Sequence, residues 1–308
     1  MSFDLYIPYK NESYFHRYLG RHLYRLKRGI SSNYTFHDNF LHYFWQQLSL
    51  AYKILEDNDE IGTARIFYRG PWPKITSLLG QGDVIRKNPN GHGAGMIDWL
   101  PFEPEFNPYV DKLADYLLDH VPPDNNMTER ITFVRRITNR KVQNETEVIE
   151  ALKRFGLPVH VEEFLESDDK FFEYVNIIRK STIVVMVHGA AMTNALFMKP
   201  GSHFIEINPY GFIFPPLTKT LQRRGITIHK IECLPNDYQT SGYLKYYVAE
   251  TPYPSKPELR TEARNSMELR LLLRDQLNLV VPVDVLNDLL ATILSNDSGG
   301  SMGALSGA

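Results

Sequence analysis

Residues Ile183 to Pro209 read IVVMVHGAAMTNALFMKPGSHFIEINP. Ile183–Val187 is an unbroken apolar, mostly β-branched run, the pattern of a strand covered on both faces. His188-Gly189 breaks the run, Ala190–Met198 is helix-compatible, Lys199-Pro200-Gly201 stops that helix, and His203–Ile207 is a second strand. Strand, glycine turn, helix, strand is the βαβ plan of a parallel sheet. The turn joins a strand's carboxyl end to a helix's amino end. Backbone N–H groups there lack helical partners and the helix dipole favours an anion, so the turn is expected to hold a nucleotide diphosphate.

The alternation continues on both sides. Upstream, Ile131–Val134 reads as a strand, and Asn144–Phe155 as a helix with Glu147 in capping-box spacing and Gly156 at its end. Val159–Glu162 is then a strand and Asp168–Lys180 a helix. Downstream, Pro216–Arg224 is a helix closed by Gly225, and Ile226–Ile231 a strand. Strands alternating with helices predict a doubly wound α/β domain whose ligand lies beyond the strands' carboxyl ends. Arg136 and Arg140 follow one such end, and guanidinium forks match phosphate oxygens bidentately. Arg135 should point the other way and serve structure. Thr193 and Asn194, in the first turn of the helix, either meet phosphate or cap the backbone. Glu206 sits in an apolar run, where a lone carboxylate is costly; a ribose hydroxyl or a buried ion pair would account for it.

The first part of the chain is a looser α/β pattern. A helix is expected over Glu12–Lys27. Phe36–Leu55 is amphipathic, with Phe40, Leu41, Phe44, Leu48 and Ala51 at helical spacing and His37 and Asp38 at its amino end. Ala64–Tyr68 and Asp83–Arg86 read as strands, Pro73–Leu79 and Asn107–His120 as helices, and Asn88–Gly95 as a glycine-rich loop. Val121–Met127 (VPPDNNM) is the best linker. Helices are expected over Pro257–Leu277 and Val283–Leu294. The organisation is therefore residues 1–125 as an amino-terminal α/β domain, 126–294 as a nucleotide-binding Rossmann-like domain, and 295–308 as a disordered tail.

The sequence has 308 residues and a net charge of −2, so no global basic field points to nucleic acid. One cysteine, Cys233, excludes an intramolecular disulfide and fits a reducing compartment. No apolar run approaches the roughly 20 residues of a membrane span. The opening MSFDLYIPYKNESYF has no leader pattern, so a cytoplasmic location is expected.

Two stretches together resemble glycosyltransferase family 61. VHGAAMTNALFMKPGSHFIEINP is similar to its HGAGLTNxLFxPPGxxxxEL signature, with Ala191 where the family has glycine and Met192 where it has leucine. ITFVRRITNRKVQNETEVIEAL is similar to its ITxxxR…RRxxNExELxxAL segment. Arg136 falls on the first arginine, Arg140 and Lys141 on the basic pair, and Asn144-Glu145 on the Asn-Glu. NYTFHDNFLHYFW more weakly resembles the NxxHxxHDDLLPLFY segment of the branch that adds N-acetylglucosamine to protein O-mannose. The resemblance implies a two-domain GT-B fold, an inverting mechanism, a UDP-sugar donor carrying xylose or N-acetylglucosamine, and a glycan or glycoprotein acceptor. On it, Arg136, Arg140, His188, Gly189, Ala190, Thr193, Asn194 and Glu206 form the donor side. His37 and Asp38, at a helix start across the cleft, are the expected general base. No Asp-x-Asp motif has a convincing context, and arginines with a helix end can neutralise a diphosphate, so no metal is expected. An epimerase or hydrolase on the same fold and a non-catalytic binding module are the alternatives.

Overall fold

The structure is a computed structural model that describes residues 4–7, 40–68, 72–81, 95–96, 107–122, 130–137, 140–164, 168–209, 215–233 and 278–300. The expected elements at Glu12–Lys27, Asp83–Arg86 and Pro257–Leu277, and most of the glycine-rich loop, lie outside the described residues. The chain divides into two compact units: Met1–Asn125 with Leu165–Asn176 and Ala190–Phe197, and Asn126–Phe164 with Ile177–Gly189 and Met198–Ala308.

In the first unit, β1 (Asp4–Ile7) runs parallel between β2 (Arg65–Tyr68) and β3 (Gly95–Met96). β1 is not legible in the sequence, because four residues are too few to display a period. The helix expected over Phe36–Leu55 is not uniform. It comprises α1 (Phe40–His42), a π-helical stretch Tyr43–Leu48, and α2 (Ser49–Asp57). Phe40, Leu41, Phe44, Leu48 and Ala51 are all buried, as their spacing predicts, but so are Tyr43 and Trp45 on either side of Phe44. Helix α3 (Pro73–Ser77) opens on a proline and α4 spans Asn107–Asp119.

Two later segments complete this unit. Asp168 starts a helical stretch as expected, a 3₁₀ turn at Asp168–Lys170 leading into a helix over Phe171–Arg179, and it also caps α3. Its carboxylate accepts from the backbone N–H of Lys74 at 2.5 Å and of Ile75 at 3.1 Å, from within a 3₁₀ turn at Asp168–Lys170. Phe171 and Phe197 then join the aromatic core. Their rings lie 5.5 Å apart, with Phe40 6.0 Å from Phe171 and 4.9 Å from Trp72.

The second unit holds five parallel strands: β4 (Arg130–Arg135), β5 (Val159–Glu163), β6 (Ser181–Val187), β7 (His203–Pro209) and β8 (Thr227–Cys233). Their order is β5-β4-β6-β7-β8. The chain therefore reverses its direction of growth between β4 and β6, which is the switch point where open parallel sheets bind ligands. This is the α/β parallel sheet the alternation predicts. Helix α5 (Glu145–Lys153) follows β4, α6 (Phe171–Arg179) precedes β6, α7 (Pro215–Arg223) follows β7, and α8 (Val283–Gly300) closes the described chain.

Register decides what faces what. Met186, Glu206 and Lys230 lie in one cross-strand row, and Val187, Ile207 and Ile231 in the next. Side chains alternate faces along a strand, so the second row enters the main core. There it packs with Phe133, Val185, Ile205, Leu152 of α5 and Leu286 and Leu290 of α8. Helix α8 runs on to Gly300 where a disordered tail was expected from residue 295. Thr292 Oγ1 donates to Asp288 O and Ser295 Oγ to Thr292 O, both at 2.9 Å, returns to the preceding turn that let hydroxyl residues continue a helix. No described helix is long and apolar enough to cross a membrane.

One expected cap is absent. Asn144 occupies the cap position of α5, yet its side chain makes no capping hydrogen bond. Its amide pairs with the backbone of Val281 in both directions.

Candidate functional site

The two strands flanking the switch point deliver the candidate site. Arg136 is the first residue after β4, and His188-Gly189 directly follow β6. Arg140 is buried, and its Nη1 donates to the backbone oxygen of His188 at 2.7 Å. A Cβ built on Gly189 would stand 2.2 Å from Arg136 Nη1 and 3.4 Å from Arg140 Nη2. Both guanidiniums therefore lie over Gly189. The backbone of Gly189 is not left-handed, so glycine is required here for space rather than for conformation. Two cations converging on one point repel each other in a partly desolvated crevice, and an oxyanion between them relieves that repulsion. Arg135 points away and forms a 2.7 Å ion pair with Glu145 at the surface.

Beside this crevice His188 and Glu206 form a buried pair, which the exposed Lys230 joins from the next strand. His188 Nδ1 and Glu206 Oε1 are 2.6 Å apart, and Lys230 Nζ is 3.2 Å from Glu206 Oε2. The cross-strand register sets Glu206 directly beside Lys230. Both carboxylate oxygens face nitrogen donors of the protein, His188 and Lys230, so these contacts account for Glu206 and its burial requires no ribose contact. Since the carboxylate accepts, Nδ1 of His188 carries a proton, and the bond fixes the ring orientation. Burial alone would raise the Glu206 carboxyl, but the hydrogen bond and charge of His188, with Lys230, outweigh it and hold it below the ordinary value of 4.5.

A depressed folded-state value means that Glu206 contributes stability above about pH 4.5, which is lost as pH falls through the folded value. Glu206→Gln keeps the shape and removes the charge. It is expected to cost about 1–2 kcal/mol near neutral pH and to flatten the acid limb of stability between neutral pH and pH 3. Chemical denaturation at several pH values checks this; an acid limb as steep as that of the unsubstituted protein would refute the charge-cluster assignment.

The segment after Gly189 departs from expectation. Ala190–Phe197 is a 3₁₀ helix, not an α-helix, and belongs to the first unit, where it packs on α1 and α4. Small and apolar residues on all its sides (Ala190, Met192, Ala195, Leu196) let it sink into that core, and every residue but Ala191 is buried. Asn194 turns back on its own chain, Nδ2 donating to Ala191 O at 2.9 Å, which is the backbone-capping alternative. The Thr193 hydroxyl is fully buried and has no hydrogen-bond partner in the structure described. His37 and Asp38 lie outside the described residues. Cys233 is buried, which pushes its thiol up to about 12, so it is no nucleophile. Lys230 and the partner of Asn144 are missed by sequence reasoning, because both depend on register and on contacts between distant segments.

The Glycosyltransferase 61 family profile matches residues 96–205, the interval containing Arg136, Arg140 and the His188-Gly189 turn. Xylan glycosyltransferase MUCI21 of Arabidopsis thaliana is 31% identical over 122 residues, covering 38% of this chain and 24% of that protein. Protein O-linked-mannose beta-1,4-N-acetylglucosaminyltransferase 2 of Xenopus tropicalis is 32% identical over 93 residues, covering 30% of this chain and 16% of that protein. Its counterpart in Danio rerio is 34% identical over 77 residues, covering 25% and 13%. The chain thus spans a quarter or less of the length of each of these relatives in alignment.

Proposed function

We propose, from a chain whose residues 96–205 carry the glycosyltransferase 61 sequence, that this protein transfers a sugar from a UDP-sugar to a hydroxyl of a glycan or glycoprotein. The observation that carries the reading is the pair of guanidiniums, Arg136 and Arg140, converging over Gly189 at the β4/β6 switch point. That is where a parallel sheet receives a nucleotide, and two cations there suit a leaving diphosphate.

In the proposed reaction the acceptor oxygen attacks the anomeric carbon from the face opposite the diphosphate. The bond from that carbon to the phosphate oxygen breaks, and UDP leaves with the electron pair. The configuration at carbon inverts. The acceptor proton passes to the base expected at His37 and Asp38. Arg136 and Arg140 stabilise the charge that grows on the diphosphate, and His188, oriented by Glu206, lines the donor side with Gly189 and Ala190. Thr193 supplies a hydroxyl, its burial without a partner supporting a polar ligand there. Xylose or N-acetylglucosamine is the proposed sugar, supported by the sequence motifs and by the relatives above. Two units, each with a parallel sheet, support a GT-B arrangement.

With arginines neutralising the diphosphate, turnover is expected to be independent of a divalent metal. A panel of UDP-sugars, with UDP release monitored with and without a glycan acceptor, tests the reading. Release from one or two donors, stimulated by acceptor and unchanged in EDTA, is the expected result. Loss in EDTA restored by Mn²⁺ would overturn metal independence, and UDP binding without turnover of any donor would overturn transfer.

A further inference from the structure

The loop carrying Arg140 is held by a segment 137 residues further along the chain. Arg140 itself is left-handed, with φ +55, a conformation that an arginine rarely adopts. Such a backbone persists where its surroundings over-determine it. Those surroundings begin at the next residue. Leu279 N donates to Lys141 O at 2.8 Å and Gln143 N donates to Leu279 O at 2.8 Å, so that Val142 and Leu279 form a short parallel bridge.

Two asparagines extend this bridge at its ends. Asn278 Oδ1 accepts from Lys141 N at 3.1 Å. Asn144 Oδ1 accepts from Val281 N at 3.0 Å, while its Nδ2 donates to Val281 O at 2.8 Å. The inner side of the same bridge is apolar: Val142, Leu279 and Val281 are buried in the core of the second unit with α5 and α8. The backbone leaving Arg140 is therefore fixed by polar bonds along one edge and by burial along the other. An asparagine that only capped α5 would bond the α5 amides; Asn144 does not.

We infer that Asn144 and Asn278 are positioning residues for Arg140. They lock residues 141–144 to residues 278–281, and so hold Arg140 in the left-handed backbone that puts its guanidinium against His188 O and over Gly189. Residues 278–281 lie outside the segment shared with the family, so a part of the chain absent from that match completes the anion grip. The inference rests on Arg140 being a diphosphate ligand.

The test is a double-mutant cycle on UDP affinity by calorimetry, with a thermal melt of each variant. Asn144→Ala is expected to weaken UDP about tenfold in the otherwise unchanged protein and to add nothing in an Arg140→Ala background. Asn278→Ala should show the same pattern at smaller amplitude, and it carries the cycle if Asn144→Ala does not fold. Equal weakening in both backgrounds, or a lowered Tm with unchanged UDP affinity, would overturn the inference. UDP binding that is unaffected by Arg140→Ala would refute the diphosphate reading itself, and the inference with it.

Discussion

Arg140→Ala is expected to lower kcat/KM for the sugar donor by at least about 30-fold, or about 2 kcal/mol of transition-state stabilisation, the scale of losing one charged partner of a developing oxyanion. Arg136→Ala should cost a similar amount. The effect should appear mainly in kcat, because charge on the diphosphate grows as the glycosidic bond breaks. The double variant should lose less than the sum of the two, since the arginines meet at one backbone position and act as a unit. Arg140→Gly separates this from folding. It removes the same guanidinium but suits the φ of +55, where an L-residue with a Cβ carries a penalty on the order of 1 kcal/mol. Its Tm should therefore match or exceed that of Arg140→Ala while activity stays equally low. Steady-state kinetics with calorimetry checks the set, and near-normal turnover in both alanine variants would remove the arginines from the chemistry.

Gly189→Ala is expected to be the more selective lesion. One methyl group would stand 2.2 Å from Arg136 Nη1, far inside contact distance, so that guanidinium must move. Because the obstacle is the far end of a flexible side chain, and Gly189 is not left-handed, the fold should accept the change with a loss under about 1 kcal/mol. The displaced guanidinium should not be as forgiving. A misplacement of about 1 Å in a charge-stabilising group costs on the order of 100-fold. The expected outcome is a normal melt with kcat/KM lowered about 100-fold, and with UDP affinity reduced less than kcat/KM. A variant with unchanged kinetics would show that Arg136 does not need its observed position.

Much of the fold around the two arginines is legible in the sequence. The Ile183–Val187 run announces a strand covered on both faces, since nowhere else can five consecutive apolar, mostly β-branched residues go. Arg136 and Arg140 follow another apolar strand by one and five residues, and a parallel sheet places such positions at one edge. Other features had no local signal. Glu206 reads as a lone carboxylate because its partners stand 18 residues before it and 24 after it, at His188 and Lys230. Asn144 reads as a cap because the alternative, Val281, is 137 residues away. The π turn at Tyr43–Leu48 hides behind an ordinary helical period.

By itself, then, the sequence determined the alternation of strand and helix, the switch-point turn and the arginines beside it. These follow from periodicity and residue chemistry, which act over a few residues. Tertiary structure decided that Ile183–Pro209 does not form one βαβ unit in a single body. Its two strands build the five-stranded sheet, while Ala190–Phe197 between them winds as a 3₁₀ helix into the aromatic core of the other unit. The physical reason is burial: a segment apolar on every side has no solvent face to present, so it goes where the most apolar surface is removed from water. No local pattern says which core that will be. The same holds for the two guanidiniums over Gly189, which follow the end of one strand but meet at a glycine that follows the next, beside a loop held by residues from the far end of the chain.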